Sequence, residues 1–194
     1  MARAYRRHRK TRWWKDAILT CCFLFLLVLI AARLQGGGGD PVSGPFRVVD
    51  GDTLAVGGQR LRLAGIDAPE LDQTCERDGR TWPCGAQAKQ LLETLIASGI
   101  AECHGSEPDR YGRLLVSCIA DGQTVNGAMV RGGMALTTGV VTYRREQMQA
   151  QAQRAGVWAG PFDTPAEWRR QRKIEEQGSG WPDALKDVLS LRWL

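Results

Sequence analysis

The sequence predicts an α+β domain in which about five short β-strands have helices inserted between and after them, with an apolar helix ahead of the domain. Three observations lead there. Short β-type runs recur from Phe46 onward, apolar residues at helical spacing fill later segments, and one uncharged stretch, Ala17–Ala32, stands apart near the N-terminus. No internal repeat is apparent.

Residues 1–16 form a basic tail: the first 15 carry Arg3, Arg6, Arg7, Arg9, Lys10, Arg12 and Lys15 and no acid. Ala17–Ala32 (AILTCCFLFLLVLIAA) is uncharged over 16 residues between Asp16 and Arg33. That length falls between the roughly 7–15 residues of a signal-peptide core and the roughly 20 of a spanning helix. Trp13 and Trp14 stand where an interfacial aromatic belt would lie, and Arg33 can snorkel at the far end. These flanks favour an uncleaved anchor over residues 17–34, with a cleaved signal as the alternative. A buried core helix fits less well, because the basic run directly precedes the stretch. RRHRK also matches a nucleic-acid or nuclear-address pattern, but beside an apolar span the positive-inside rule reads it better. The tail then stays in the cytoplasm and the body is membrane-anchored in the periplasm or extracellular space, or secreted if the signal is cleaved.

Residues 35–45 (QGGGGDPVSGP) read as a flexible Gly/Pro tether. Phe46–Asp50 and Thr53–Val56 are β-type runs around Asp50-Gly51-Asp52, and Arg60–Ile66 alternates as a half-buried strand does. Between Gly85 and Gly99, Ala88, Leu91, Leu92, Leu95 and Ile96 recur at helical spacing, with Gly99 as the stop. Ile100–Cys103 and Tyr111–Ile119 are two further strands, and pairing centred near Arg110–Tyr111 sets Cys103 opposite Cys118. Asp121–Arg131 and Thr142–Ala155 read as helices, the second ending at Gly156. Arg169–Glu176 reads as a solvated helix face, and Asp183–Leu194 as an amphipathic helix packed on the domain, with membrane or partner contact as the alternative.

Composition excludes several classes. The 194 residues carry a formal charge of +5, yet from Asp40 onward 18 basic and 20 acidic residues leave −2. The body is therefore no generic basic nucleic-acid binder, and any anion must be held by a few placed arginines. An apolar content of 43% and a charged content of 24% are those of a globular protein. His8 and His104 are the two histidines, which speaks against a paired-histidine nuclease, a two-His metalloprotease and a Ser-His-Asp triad.

Cys21 and Cys22 lie within the apolar span as small hydrophobes. Cys75, Cys84, Cys103 and Cys118 lie in the body without a CxxC, so zinc binding and thioredoxin-type chemistry fit poorly. Three pairings are open. The short C-x8-C spacing favours Cys75–Cys84, and the strand register favours Cys103–Cys118; export to an oxidising compartment agrees with both.

Four acids and two arginines form the chemical constellation. Asp50 and Asp52 are two apart, so an extended backbone turns both to one face. Asp67 and Glu70 follow the third strand in IDAPE, and Arg62 precedes Asp67 by five residues. Each feature has a bland alternative: Asp-Gly is a hairpin signal, Asp67-x-x-Glu70 with Pro69 matches a helix N-cap, and Arg62 alone is an exposed strand residue. Together they make an acidic pocket able to hold a hard cation through oxygen ligands, with guanidinium groups nearby.

VVDGDTLAV, RLRLAGIDAPE and DRYGRLL, in that order, resemble the staphylococcal-nuclease-like (thermonuclease) family. The similarity runs over 46–162 and takes in Asn126–Ala135, Tyr143 and GVWAG (Gly156–Gly160); after Phe162 it thins to Pro165, Trp168 and Arg169 within the helical C-terminal extension 163–194. The resemblance implies a five-stranded OB-fold β-barrel with packed helices. It implies Ca2+ held by Asp52, Asp67 and the backbone carbonyl of Ala68, where the family's reference enzyme has threonine, with Asp50 just outside. Glu70 would orient or deprotonate the attacking water, and Arg62 and Arg113 would clamp the scissile phosphate. Tyr111 would meet a base, sugar or phosphate (core packing is the alternative), and Arg110 would add a backbone contact unless it is simply solvated. The implied reaction is sugar-nonspecific endonucleolytic hydrolysis of DNA or RNA to 3′-phosphate and 5′-hydroxyl ends.

Departures from the family pattern are local. After the Gly-x-Ala segment the reference enzyme has two tyrosines in its nucleotide pocket, and here Tyr143 alone remains, which bears on base stacking. CERDGRTWPC replaces a flexible loop with a lobe stapled by Cys75 and Cys84 and containing Trp82. Competing readings are a catalytically weak nuclease-like module that binds nucleic acid or protein, and a structural periplasmic barrel. No protein partner is evident, and the chain is expected to act as a monomer.

Overall fold

The computed structural model describes residues 5–35, 41–97, 101–105, 107–139 and 142–179, in two units, Met1–Gly39 and Asp40–Leu194. Arg3 of the basic tail, residues 36–40 of the tether, the Gly99 helix stop and the amphipathic segment Asp183–Leu194 lie outside the described residues.

In the first unit, one helix, α1 (Tyr5–Gln35), runs without a Gly or Pro to break it. Its stretch Trp13–Ala31 has 19 residues and is long and apolar enough to cross a membrane. At 1.5 Å per residue that is about 28 Å, close to the hydrocarbon thickness of a bilayer.

The second unit is built on a seven-stranded mixed sheet. Its strands are β1 (Val42–Ser43), β2 (Arg47–Asp50), β3 (Thr53–Val56), β4 (Gln59–Leu63), β8 (Glu102–His104), β9 (Leu114–Ala120) and β10 (Gln123–Thr124). The order is β1-β8-β9-β4-β3-β2, with β10 on β9; β4 and β9 run parallel and the other pairs antiparallel. The five strands read from the sequence are β2, β3, β4, β8 and β9, consecutive in this order. The larger count comes from two-residue edge segments, and Val42–Ser43, read from the sequence as tether, pairs with Glu102–Cys103.

Two further expectations are corrected by turns. Arg60–Ile66 is not one strand: Gly65, at φ 76°, turns the chain, and β5 (Ile66–Asp67) pairs instead with β11 (Leu136–Thr137). Asp121–Arg131 is not one helix: Asp121 and Gly122 have φ of 48° and 72°, the pattern of a tight hairpin, so β10 folds back on β9. Helix α3 (Val125–Arg131) begins only after it. The expected helices 85–99 and 142–155 appear as α2 (Cys84–Ala97) and α4 (Arg144–Ala152). No helix follows Pro69, so the capping alternative for Asp67 and Glu70 is not realised.

The core lies between the sheet and helices α2 and α3. Ala88 and Leu92, one helical turn apart, are fully buried with Leu54, Leu61, Val116, Met129 and Val130. Asn126 ties it together: its Oδ1 accepts from Cys118 N–H (3.1 Å), and its Nδ2 donates to the carbonyls of Ala64 (3.0 Å) and Val116 (3.1 Å). This clamp locks the Gly65 turn, and so the strand carrying Asp67, onto β9.

Both expected disulfides are present. Cys103 and Cys118 are directly opposed on β8 and β9. Cys75–Cys84 joins the β6 (Cys75–Arg77)–β7 (Arg80–Trp82) hairpin to the start of α2, in a second cluster with Val157, Trp158 and Phe162. Beyond it, α5 (Pro165–Ser179) opens on a capping box. The Thr164 N–H donates to Glu167 Oε2 (2.9 Å), and the Glu167 N–H donates to Thr164 Oγ1 (3.3 Å).

Candidate active site

A turn, not strand alternation, brings Asp50 and Asp52 together. Asp50 closes β2 opposite Thr53, and the Asp52 N–H donates to Asp50 Oδ1 (3.1 Å) across Gly51. Gly51 is required by packing: a Cβ there would sit 2.7 Å from the Ala68 Cβ and 2.9 Å from the Ala88 Cβ. That close approach sets the segment after β5 against the hairpin.

Arg62, on β4 opposite Thr53, forks across two acids. Its Nη1 donates to Asp52 Oδ1 (2.5 Å) and its Nη2 to Asp67 Oδ1 (2.9 Å). Asp52 also accepts from Thr53 Oγ1 (3.0 Å) and, through Oδ2, from the Ala68 N–H (3.2 Å). It is 4% exposed. Burial pushes its pKa up to about 6, outweighing the pull of Arg62, and the neighbouring Asp50 charge adds to the rise. Arg62 is in turn held above its ordinary value: burial opposes, but Asp52 and Asp67 prevail.

Glu70 lies in an irregular segment that is pinned at several points. Its N–H donates to Gln73 Oε1 (3.1 Å), and Gln73 Nε2 donates to the Asp163 carbonyl (2.7 Å). A methyl group on Gly85 would overlap the Glu70 carbonyl, so α2 and this segment touch backbone to backbone. Arg169, on α5, lines the same groove as Glu70. Its Nη2 donates to Asp67 Oδ2 (2.9 Å), and its Nη1 donates to Glu70 Oε1 (2.6 Å) and Asp67 Oδ1 (3.2 Å). The hydrogen bonds it donates to Asp67 first, and to Glu70, raise its pKa against the effect of burial. The expectation of a wholly solvated Arg169–Glu176 face is therefore corrected: Arg169 engages two acids, and Arg172 pairs with Asp72. The Thr164–Glu167 capping box signals the helix, but no sequence pattern signals a partner 102 residues away.

The opposite wall is a tight loop. Asp109 Oδ1 accepts from the N–H groups of Tyr111 (2.8 Å) and Arg113 (3.0 Å), and Oδ2 accepts from Arg113 Nε (2.8 Å). Against desolvation, these bonds from Arg113 and Tyr111 hold the Asp109 carboxyl below its ordinary value. Tyr111, read from the sequence as strand, belongs to this loop because Asp109 and Gly112 (φ 76°) turn the chain before β9. It is 68% exposed, which removes the core-packing alternative, and the guanidinium carbons of Arg110 and Arg113 lie 4.8 and 5.4 Å from its ring centroid.

Asp50, Asp52, Arg62, Ala68, Glu70, Arg110, Tyr111, Arg113 and Arg169 line one groove of about 800 Å³, with Asp67 held at its edge by Arg62 and Arg169. Tyr143 is not brought to it: it precedes α4 at φ 57° and packs on the core near Gly65 and Gly127. The sequence alone does not mark Asp109 and Arg169 as members of this site. A second depression of about 720 Å³ between β2 and α2 holds Lys89 and Glu93, an ordinary i,i+4 pair.

Among the described residues no three His, Cys, Asp or Glu side chains form a ready metal cage. The donor set nevertheless fits a hard cation. The Asp52 and Asp67 carboxylates are bridged by one guanidinium, and the Ala68 backbone touches Asp52. A buried carboxylate held near pKa 6 gains from added positive charge.

The profile of the family described as staphylococcal nuclease homologue matches residues 60–160. A succinoglycan biosynthesis protein, ExoI, of Rhizobium meliloti is 34% identical over 139 residues, which cover 69% of this chain and 73% of that protein. An uncharacterized endonuclease of Haemophilus influenzae is 34% identical over 171 residues, 82% of this chain and 88% of its own length. A probable staphylococcal-like nuclease, CAN1, of Oryza sativa is 33% identical over 119 residues, 59% of this chain and 33% of that protein.

Proposed function

Because the chain belongs to the staphylococcal nuclease homologue family, we propose that it is a Ca2+-dependent, sugar-nonspecific endonuclease that hydrolyses DNA or RNA to 3′-phosphate and 5′-hydroxyl ends. The observation that carries this reading is one groove lined by Asp52, Arg62, Glu70 and, in the facing loop, Arg113, with Arg62 joining Asp52 to Asp67 at its edge.

Asp52, Asp67 and the Ala68 carbonyl are the groups that would hold Ca2+, with Asp50 supporting them. Bound there, the ion supplies fixed positive charge to a phosphodiester that gains negative charge as it is attacked. Arg62 and Arg113 bind the scissile phosphate through planar guanidinium forks that need no reorganisation, because Asp52, Asp67 and Asp109 already orient them. Glu70 accepts the proton of the attacking water, the role a histidine fills elsewhere. Tyr111, exposed between Arg110 and Arg113, offers a stacking face to the adjoining nucleotide. Tyr143 is a support of the pocket at most through the Gly65 turn it packs on.

The frame for these groups is the OB-type barrel of the family, over residues 46–162. We read α1 as an anchor with the basic tail cytoplasmic and the monomeric nuclease domain periplasmic or extracellular, or as a signal removed on secretion.

A second reading, a weak nuclease-like module that binds nucleic acid or protein, draws on one observation: both oxygens of Asp67 are engaged by guanidinium groups. Turnover separates the two. The detergent-solubilised chain is expected to degrade single-stranded DNA with Ca2+, to stop with EGTA, and to lose activity on Glu70→Gln. Activity surviving both treatments sinks the assignment, and affinity without turnover selects the binding module.

A further inference from the structure

Helix α5 sends one guanidinium into the groove, and neither Ca2+ ligation nor phosphate clamping as set out above uses it. We propose that Arg169 is a positioning residue for the hydrolysis, which makes α5 part of the catalytic centre; this rests on the nuclease reading of the same groove.

Arg169 is shared between two roles. One planar group donates to both oxygens of Asp67 (3.2 and 2.9 Å) and to Glu70 Oε1 (2.6 Å), so it fixes the spacing of the carboxylate assigned to the ion and the one assigned to the water. Glu70 needs this. It lies on an irregular stretch with no strand or helix to aim its side chain, and a catalytic carboxylate must be held to within roughly 0.5 Å.

The helix is built to hold Arg169 there. Pro165 and the Thr164–Glu167 capping box fix its first turn. Gln73 then ties Asp163, just ahead of α5, to the Glu70 backbone, and Arg172 pairs with Asp72 one turn further on. The segment bearing Glu70 is thus fastened to α5 on both sides of Arg169.

Arg169 holds the acids without consuming them. Glu70 Oε2 has no donor among the described residues, and Asp67 Oδ2 takes one hydrogen bond of the two it can accept. Proton acceptance at Glu70 and further coordination at Asp67 both stay open. Arg169 retains 42% side-chain exposure, so substrate has a path beside it.

The test uses the full chain in detergent with single-stranded DNA and Ca2+. Arg169→Ala is expected to lower kcat about 100-fold while KM stays within about three-fold. Arg169→Lys, which keeps charge but loses the fork, should recover only part of the loss. Millimolar methylguanidinium should restore activity to Arg169→Ala and leave the wild type unchanged, which a folding defect would not allow. Tb3+ luminescence on the chelator-stripped chain should show that Arg169→Ala binds the ion no more weakly than the wild type, since the cation beside Asp67 is gone while its carboxylate remains.

Arg169→Ala that matches or exceeds the wild type overturns the proposal and makes α5 an inhibitory cover. A change in KM alone also overturns it, since Arg169 then binds substrate. If the wild type turns over nothing, the nuclease reading fails separately. In that case an unfolding cycle decides for Arg169: non-additive effects of Arg169→Ala and Glu70→Gln support the coupling, and additive effects reject it.

Discussion

Arg62 Nη1 lies 2.5 Å from Asp52 Oδ1, a contact between β4 and the turn just ahead of β3, since Arg62 faces Thr53 across the β3–β4 ladder. Asp52 is almost wholly buried, so this pair decides whether an acidic pocket can exist inside the fold at all.

Arg62→Ala leaves the buried Asp52 carboxylate without its cation, which is expected to cost about 3–5 kcal/mol at pH 8. Arg62→Lys should keep most of that stability but lose the fork that spans Asp52 and Asp67, lowering kcat by about 100-fold or more. Urea unfolding beside steady-state kinetics checks both; a Lys variant with full kcat would show the fork to be unnecessary.

Asp52 also sets a pH dependence. Its pKa in the fold is about 6 against 3.8 without it, so the folded state holds this proton more tightly than the unfolded chain. The stabilisation is fully present below the unfolded value and is lost as pH rises through 6. With chelator present, lowering the pH from 7.5 to 5 should therefore favour the wild type relative to Asp52→Asn, whose side chain cannot ionise. Melting temperatures of the two proteins across that range measure the difference, and parallel curves would contradict it.

Asn126 reaches three backbone groups on two segments from one buried side chain. Asn126→Ala strands those groups and is expected to cost about 2–3 kcal/mol. Because the clamp holds the Gly65 turn ahead of Asp67, nuclease activity should fall at temperatures where the variant is still folded. Denaturation and activity measured on the same samples separate the two effects.

Gly85→Ala places a methyl group on the Glu70 carbonyl. The Cys75–Cys84 disulfide should still form, as intact mass will report, while displacement of Glu70 lowers kcat by about 100-fold. Unchanged kcat would mean that the Glu70 segment tolerates the shift.

The body of the chain carries −2, and the proposed phosphate contacts are a few arginines of the groove. Binding of DNA should therefore weaken only gently with salt, with a slope of about −2 in log affinity against log salt for single strands. Removal of Ca2+ should matter more. A steep slope would reveal many phosphate contacts that the groove does not supply.

The local chemistry was legible in the sequence because it depends on short-range rules. The strand periods of Phe46–Asp50 and Thr53–Val56, the helical period of Ala88 to Ile96, and the register that sets Cys103 against Cys118 all act within a few residues or across one hairpin. Where expectation and structure part, glycine turns intervene. Gly65 splits Arg60–Ile66, and Asp121-Gly122 makes a hairpin where helical spacing suggested a longer helix. A positive φ at one residue redirects a chain that a periodic pattern treats as continuous.

By itself, the sequence determined the kinds of residue that make up the groove, the apolar length of the N-terminal helix and the family to which the chain belongs. Only the tertiary structure decided which of those residues meet. It set Asp109 under Arg113, left Tyr143 on the core away from the groove, and carried Arg169 across 102 positions to Asp67. The physical reason is that periodicity and turn chemistry are local, whereas an ion pair between a late helix and an early loop forms only once the core and its caps have fixed both backbones in space.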